Sequence, residues 1–90
     1  MAHTIRNKKQ LLDRVRRLQG QLAGVERALE AEHECDDLLQ RLAACRGALA
    51  SLTAEVIEGH VRFHIVNPDT SSERSQAARQ LVEVVRKYLR

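Results

Sequence analysis

The sequence is poor in aromatic and turn-forming residues. Its 90 residues include no tryptophan, one phenylalanine, one tyrosine, one proline and four glycines. The hydrophobic 43% of the chain is almost all leucine, valine and alanine, a set that suits helices. Together with 30% charged residues, this content excludes both a disordered chain and a membrane-spanning one.

The chain also lacks long apolar runs and has only two cysteines, Cys35 and Cys45. Without a run of signal-peptide or bilayer length, we expect a cytoplasmic protein with no membrane partner. In that compartment the cysteines are expected to be reduced thiols rather than a disulfide. One domain over residues 1–90 is predicted, and a core this small is usually reinforced by oligomerisation or by a metal.

The apolar pattern predicts an all-α subunit of three helices, and nothing in it indicates a strand. Helices one and two are expected over about 4–30 and 36–66, because leucine and valine recur there at heptad spacing. The second ends before Asn67-Pro68-Asp69, since proline lacks an amide donor. A capping box of Thr70 and Glu73 opens helix three, about 71–89. The long apolar seams predict pairing of helices between chains.

Positive charge is concentrated near the amino terminus. Residues 1–20 carry six basic side chains against a single aspartate, a local surplus larger than the net charge of +3. Such a surplus favours a polyanion partner, above all nucleic acid. The alternative is a solvated helix face that only confers solubility.

Two histidines four residues apart, His60 and His64, fall on one side of the second helix. This spacing commonly offers two nitrogen ligands to a metal, although such a pair is often incidental. Cys35 begins the same helix, roughly 38 Å from His60, so one chain cannot bring them together. Two copies of helix two, paired antiparallel about residues 47–50, would place Cys35 of one protomer beside the histidines of its partner.

Further ligands are expected from the amino terminus. Because Ala2 is small, removal of the initiator methionine is expected, which leaves a free amine beside the imidazole of His3. A thiolate, up to three imidazoles and an amine allow five or six bonds, which favours Ni(II) or Co(II) over Cu(I). Zn(II) would take four of the same ligands. His33 is a weaker candidate, since it lies in the predicted break and is expected to be solvated.

Other residues have simpler interpretations. Cys45 falls on the apolar stripe and is predicted to belong to the core, as a lone buried cysteine usually does. Phe63 is expected to pack, and Tyr88 is expected in the core or in an interface.

The segments RVRRLQGQ (residues 14–21) and ACRGALASLTAEVIEGH (residues 44–60), with the spacing of Cys35, His60 and His64, resemble the CsoR/RcnR family of bacterial metal- and formaldehyde-responsive repressors. The resemblance runs from His3 to Tyr88. It implies antiparallel four-helix bundle dimers that associate into a homotetramer, and an apo repressor on double-stranded operator DNA that an inducer releases. By matching position it also implies DNA contacts by Arg14, Arg17 and Gln19, with Arg16 and Arg46 as additions.

Within the family, the ligand positions resemble most the nickel/cobalt-sensing branch. Copper sensors fit less well, because His64 stands where their last thiol is expected. Formaldehyde sensors usually carry a proline where this chain has Ala2, and they usually lack a histidine matching His64. Phe63 departs from the nickel/cobalt branch, which can carry an acidic residue there, so an oxygen ligand would have to come from Glu34 or water.

The sequence thus predicts a repressor that leaves operator DNA on binding Ni(II) or Co(II), so that an efflux gene is expressed. A second possibility is formaldehyde sensing through Cys35 and the Ala2 amine. A third is a small helical enzyme of the chorismate mutase type, in which Arg14, Arg17 and Arg46 would face a dicarboxylate. A plain coiled-coil scaffold is the fourth. We predict that the chain is not an enzyme.

Overall fold

The computed structural model describes residues 7–89. It contains three α-helices, α1 (Lys8–Glu30), α2 (Cys35–His60) and α3 (Ser71–Tyr88), and a π-helical segment, Val61–Val66, that continues directly from α2. All regular secondary structure in this range is helical, which confirms the predicted class. The predicted start of the first helix near residue 4 lies outside the described residues. None of the described helices is long and apolar enough to cross a membrane.

The described chain divides into two compact units, residues 7–53 and residues 54–89, and the single domain over residues 1–90 stays a prediction. The first unit is an antiparallel hairpin of α1 and most of α2. Arg14 Nη1 donates to Ser51 Oγ at 2.9 Å, and this contact links the two helices far from the turn. Val25, Ala28 and Cys45 are buried within the unit, so the prediction of a core cysteine is confirmed.

The turn between α1 and α2 is built on a residue with left-handed backbone. Glu32 has a φ of 57°, and its amide donates to the Leu29 carbonyl at 3.1 Å. The next amide, of His33, donates to the Ala28 carbonyl at 3.0 Å. These two hydrogen bonds form a Schellman motif, in which the left-handed position is usually glycine. A glutamate there carries a steric cost of about 1–2 kcal/mol.

The second unit begins in the last turns of α2 and corrects one prediction. We expected a single α-helix through residue 66, but its last six residues, Val61–Val66, are π-helical. The Asn67 amide donates to the Arg62 carbonyl at 3.0 Å, a bond across five residues. β-branched and aromatic side chains crowd this run and lower its α-helical preference. Arg74 Nε also donates to the Ile65 carbonyl at 2.9 Å, which satisfies one of the acceptors left at the helix end.

The predicted capping box at the start of α3 is present in a modified form. The Glu73 amide donates to Thr70 Oγ1 at 3.1 Å, as expected. The Glu73 carboxylate, however, accepts from the Asp69 amide at 2.7 Å rather than from the Thr70 amide. Ala77, one turn further along α3, is only 3% exposed and anchors the helix against the rest of the unit.

Large apolar side chains remain uncovered in both units. On the hairpin, four exposed leucines follow the predicted heptad seams, Leu22, Leu29, Leu42 and Leu49, and Leu39 is exposed beside them. On α3, Tyr88 is 75% exposed, so its assignment to the core of the subunit is wrong and its assignment to an interface stays a prediction. Exposed apolar surface of this extent is typical of a surface that meets another chain.

Candidate functional site

The two predicted imidazole ligands lie side by side in the second unit. His60 is the last residue of α2, and His64 lies in the π-helical segment that follows. Their ring centroids are 5.4 Å apart and the rings are tilted by 50°. The four-residue spacing therefore places both rings on one side of the chain, as predicted, despite the change of helix type between them.

Helix α3 orients each ring through a different hydrogen bond. His60 Nε2 donates to the Ala77 carbonyl at 2.9 Å, since a carbonyl oxygen can only accept. His64 Nδ1 donates to Glu73 Oε1 at 2.7 Å. In the neutral imidazoles these bonds place the lone pair on Nδ1 of His60 and on Nε2 of His64. Histidine ligands of metals are typically held in this way, with the other ring nitrogen donating to a carboxylate or a backbone carbonyl.

Glu73 is the electrostatic centre of this cluster. The hydrogen bond from His64, and then that from the Asp69 amide, hold the pKa of the Glu73 carboxyl below its usual range. The carboxylate is therefore ionised at neutral pH and accepts from His64 with one oxygen and from Asp69 with the other. A charged acceptor of this kind makes the ring it holds a better electron donor to a cation.

The two rings open onto a cavity of about 230 Å³. Its lining combines imidazole, carboxylate and amide groups from the end of α2, the π-helical segment and α3: His60, His64, Glu73, Gln76, Ala77 and Gln80. The cavity is polar enough for a hydrated ion or a small polar ligand, and it offers no thiol.

At the other end of α2, Cys35 is the first helical residue and is exposed. Glu34 directly precedes it, and the Glu34 carbonyl accepts from the Leu38 amide at 3.1 Å. His33 is exposed, as expected, and donates through Nδ1 to Asp37 Oδ2 at 2.7 Å. The same oxygen accepts from Arg41 Nε at 3.0 Å. The His33 bond, followed by that of Arg41, lowers the pKa of Asp37.

The structure does not gather the full predicted ligand set in one subunit. Among residues 7–89, no group of three or more histidine, cysteine, aspartate or glutamate side chains is arranged to hold a metal ion. Cys35 and His60 are the first and last residues of α2. The remaining predicted ligands, Ala2 and His3, lie outside the described residues. What one subunit supplies is therefore the histidine pair and, separately, the Cys35 thiol.

The predicted DNA-contacting residues lie on the hairpin. Arg17, Gln19 and Arg46 are exposed, and Arg16 faces Asp13 at 3.8 Å. Arg14 is half-buried and bonded to Ser51. Arg17 also lines a cleft of about 340 Å³ between α1 and α2, with Gly20, Gln21, Gly24, Arg27, Arg41 and Ala44.

Two groups at these sites escaped the sequence analysis. Glu73 was recognised only as a cap, because its bond to His64 crosses the Asn67-Pro68-Asp69 break, and no sequence spacing signals that contact. Arg41 was overlooked as well. Its partner Asp37 stands four residues before it, which is the helical spacing of an ion pair, so the sequence did hold a signal for this contact.

Comparisons with known proteins converge on one kind of regulator. A family profile described as metal-sensitive transcriptional repressor matches residues 7–87. The transcriptional repressor RcnR of Salmonella paratyphi B is 38% identical over 90 residues, and the match covers 100% of both chains. A Serratia marcescens protein, described only as an uncharacterised protein in the bioA 5′ region, is 50% identical over 91 residues, again covering 100% of both chains.

A solved structure agrees with these sequence matches. It is a glutamate-to-histidine variant of the Formaldehyde-Responsive Regulator FrmR from Salmonella enterica serovar Typhimurium. The two structures superpose with a TM-score of 0.82 at 38% identity, over 92% of this chain and 94% of that chain.

The fold and these matches define the class of the protein as a transcriptional repressor. More particularly, the chain belongs to the metal-sensitive transcriptional repressor family, the CsoR/RcnR family. The family consists of repressors rather than enzymes, so the predicted lack of enzymatic activity is confirmed and the chorismate mutase alternative has no support. Membership implies metal sensing, DNA binding and oligomerisation.

Proposed function

We propose that the chain represses an efflux gene by binding its operator DNA in the apo form, and that Ni(II) or Co(II) releases it. The observation that carries the proposal is the pair of histidine rings 5.4 Å apart, each oriented by its own hydrogen bond from α3. Rings held in this way lose little rotational freedom when they bind a cation. The incidental alternative, two solvated histidines, does not account for either bond.

The proposed ligands are Cys35, His60, His64, His3 and the amine of Ala2, with Glu34 or His33 as further candidates. A set dominated by nitrogen with one thiolate suits Ni(II) or Co(II) better than Cu(I), which prefers more sulfur. Zn(II) would be satisfied by four of these ligands. Selectivity would then come from the coordination number, because only a metal that needs more than four ligands recruits the amino terminus.

The site is completed between two chains in this proposal. Antiparallel pairing of two α2 helices, in a dimer that associates further into a tetramer, would bring Cys35 of one protomer to the histidine pair of its partner. The exposed leucines of α2, Leu39, Leu42 and Leu49, support such pairing because a lone subunit leaves them uncovered. The small residues around Gly47 would allow the backbones to approach closely.

Arginines and a glutamine of the hairpin bind the DNA in this proposal: Arg14, Arg16, Arg17, Gln19 and Arg46. Binding of Ala2 and His3 to the metal would pull on the start of α1, which carries most of these residues. The affinity for operator DNA would fall as a result. By linkage, bound DNA must weaken the binding of the metal by the same factor.

The test is a titration of the apo protein, bound to operator DNA, with Ni(II), Co(II), Zn(II) and Cu(I). We expect Ni(II) or Co(II) to release the DNA with the appearance of thiolate-to-metal charge-transfer absorption from Cys35. His64→Ala should abolish the release, whereas Gln76→Ala, which alters the same cavity without removing a proposed ligand, should keep it. Release of DNA by Ni(II) from the His64→Ala protein would refute the assignment.

A second candidate function is formaldehyde sensing. It is favoured by the structural likeness to FrmR and by the exposure of Cys35, which makes its thiol available to a small electrophile. In this case formaldehyde would condense with the Ala2 amine and the Cys35 thiol, losing water and leaving a methylene bridge between nitrogen and sulfur. Mass spectrometry of the treated protein decides the matter, since the bridge adds a single carbon atom to the cross-linked peptides.

A further inference from the structure

The cleft between α1 and α2 brings together three arginines that no sequence motif connects. Arg17 and Arg27 project from α1, and Arg41 projects from α2. A Cβ atom placed on Gly24 would lie 3.4 Å from Arg41 Nη1 and 3.8 Å from Arg27 Nη2. Two guanidinium groups from different helices therefore flank a single point on the cleft floor.

The charge of this cleft is largely uncompensated. Arg41 is held by Asp37 through its Nε at 3.0 Å, and its Nη1 lies beside the Gly24 position. Within residues 7–89, no carboxylate forms an ion pair with Arg17 or Arg27. The positive charges of Arg27 and Arg41 repel one another, and an anion between these two guanidinium groups would be attracted to both.

The shape of the cleft suits a tetrahedral oxyanion. Gly20 and Gly24 line it without side chains, which leaves room for an anion beside the guanidinium groups. Arginine binds phosphate through two parallel N–H donors, which lysine cannot do. The volume of about 340 Å³ leaves room for a phosphate with its first hydration shell.

We propose that Arg17, Arg27 and Arg41 form a phosphate-binding cleft, and that its ligand is the phosphodiester backbone of DNA. This inference rests on the proposed function, to which it adds Arg27 and Arg41 as DNA-binding residues. The DNA source is favoured over a free phosphate because Arg17, one of the residues proposed to bind DNA, lines the cleft itself. Arg14 donates to Ser51, and the close approach of Arg41 to the Gly24 position follows further along the same hairpin. Arg17 and Arg27 lie roughly 15 Å apart along α1, a length that spans several phosphates of one DNA strand.

The first arm of the test measures how DNA affinity depends on salt, using the full chain and a short mixed-sequence duplex. Each phosphate contact that is lost should make the slope of log K against log salt less negative by about 0.9. We expect this change for Arg27→Gln and for Arg41→Gln. The control is Arg62→Gln, which removes an equal charge from an exposed pair with Glu58 outside the cleft and should leave the slope unchanged.

The second arm uses inorganic pyrophosphate and needs neither DNA nor metal, so it tests the cleft even if the proposed repressor function fails. Wild-type protein should bind pyrophosphate in a calorimetric titration at low salt, and Arg27→Gln should lose this binding. Gly24→Ala keeps every charge and favours the helix by about 1 kcal/mol, yet its methyl group occupies the point between the two guanidinium groups. It should bind pyrophosphate more weakly than wild type.

If Arg27→Gln loses pyrophosphate binding but keeps the wild-type salt dependence of DNA affinity, the cleft is supported and its ligand is a free phosphate. The proposal would be overturned if two results occurred together. The salt dependence of DNA affinity would be unchanged in Arg27→Gln and Arg41→Gln, and pyrophosphate binding would be unchanged in Arg27→Gln and Gly24→Ala. Wild-type protein that fails to bind any DNA but binds pyrophosphate would refute the repressor function and keep the cleft.

Discussion

The two ends of α2 carry proposed metal ligands in very different surroundings. At the carboxyl end, His60 and His64 are each held by a hydrogen bond from α3, and a carboxylate lies beside them. At the amino end, Cys35 is exposed, and His33 and Arg41 both donate to the carboxylate of Asp37. One end is organised before a ligand arrives, whereas the other offers a thiol whose surroundings another chain would have to complete.

This difference suggests that the two ends of the helix have separate roles in metal sensing. A preorganised histidine pair can capture a cation at small entropic cost, whereas in the proposed dimer an exposed thiol would join the site only when the subunits are correctly paired. Under this view affinity resides mainly at the histidine end, and the coupling to assembly and to DNA resides at the cysteine end. The following predictions test that assignment, beginning with the largest effect.

The largest effect is expected when the two ends are inactivated on separate chains. Cys35→Ala protein and His60→Ala/His64→Ala protein should each lose Ni(II)-induced DNA release as homodimers. Co-expressed with different tags and purified as a heterodimer, they should regain one complete site, because one chain keeps its histidines and the other keeps its thiol. Charge-transfer absorption of the purified heterodimer is the measurement.

The control for this experiment is a heterodimer in which one chain carries all three substitutions and the other none. That arrangement leaves no complete site between the chains if the ligands are shared, but it leaves one intact set if each chain binds alone. Absorption in this control, together with its absence in the complementing heterodimer, would place the whole site in a single subunit.

A smaller effect is expected from Glu73→Gln, which tests the organisation of the histidine end. Glutamine keeps an acceptor for the Asp69 amide but removes the charge that His64 Nδ1 faces. Loss of such a supporting group lowers metal affinity by roughly 10- to 100-fold. Glu83→Gln on the same helix, where Glu83 pairs with Lys87 at 2.9 Å on the exposed face, should leave the affinity unchanged. Equal Ni(II) affinities for both variants would mean that Glu73 only caps α3.

The same two ends show why some features could be predicted from the sequence and others could not. The pairing of His60 with His64 and the box of Thr70 with Glu73 are local, and helix geometry alone relates residues three or four apart. The contact of Glu73 with His64 depends on how α3 folds back after Pro68, which no spacing encodes. The π-helical segment is likewise set by the balance between crowding in VRFHIV and contacts to α3.

The basic cleft illustrates the same limit on the hairpin. The positive surplus over residues 1–20 could be counted, and the family resemblance implied DNA contacts by Arg14 and Arg17. The meeting of Gly24 with Arg41 depends on the register of two antiparallel helices, which the Schellman turn at Glu32 sets. The family resemblance, by contrast, depends on residue identity and could therefore be recognised from the sequence alone.

The turn that precedes Cys35 provides a prediction about stability rather than ligand binding. Glu32→Gly should raise the free energy of unfolding by about 1 kcal/mol, because glycine adopts the left-handed conformation without steric cost. Glu32→Ala keeps a Cβ at the same position and should give no such gain. Urea unfolding of the apo protein provides the comparison. A stabilisation by alanine equal to that by glycine would show that the glutamate side chain, and not backbone strain, is responsible.

The smallest effect is the acid dependence of apo stability, which involves one carboxylate near each end of α2, Asp37 at the amino end and Glu73 of α3 at the carboxyl end. The folded-state pKa of Glu73 is lowered from 4.5 by His64, and that of Asp37 is lowered from 3.8 by His33. Unfolding therefore takes up protons at acidic pH, so each carboxylate stabilises the fold above its ordinary pKa and loses this effect as pH falls through the lowered value. The side chains of Glu73 and Asp37 are 30% and 40% exposed, so solvent screening keeps both contributions small.

The measurement is the difference in urea midpoint between wild type and each variant as a function of pH. For Glu73→Gln this difference should be constant at neutral pH and shrink below pH 4.5, and for Asp37→Asn it should shrink only below pH 3.8. A difference that stays constant throughout the acid range would mean that neither bond depends on the charge of its acceptor, and the two ends of α2 would then differ in geometry alone.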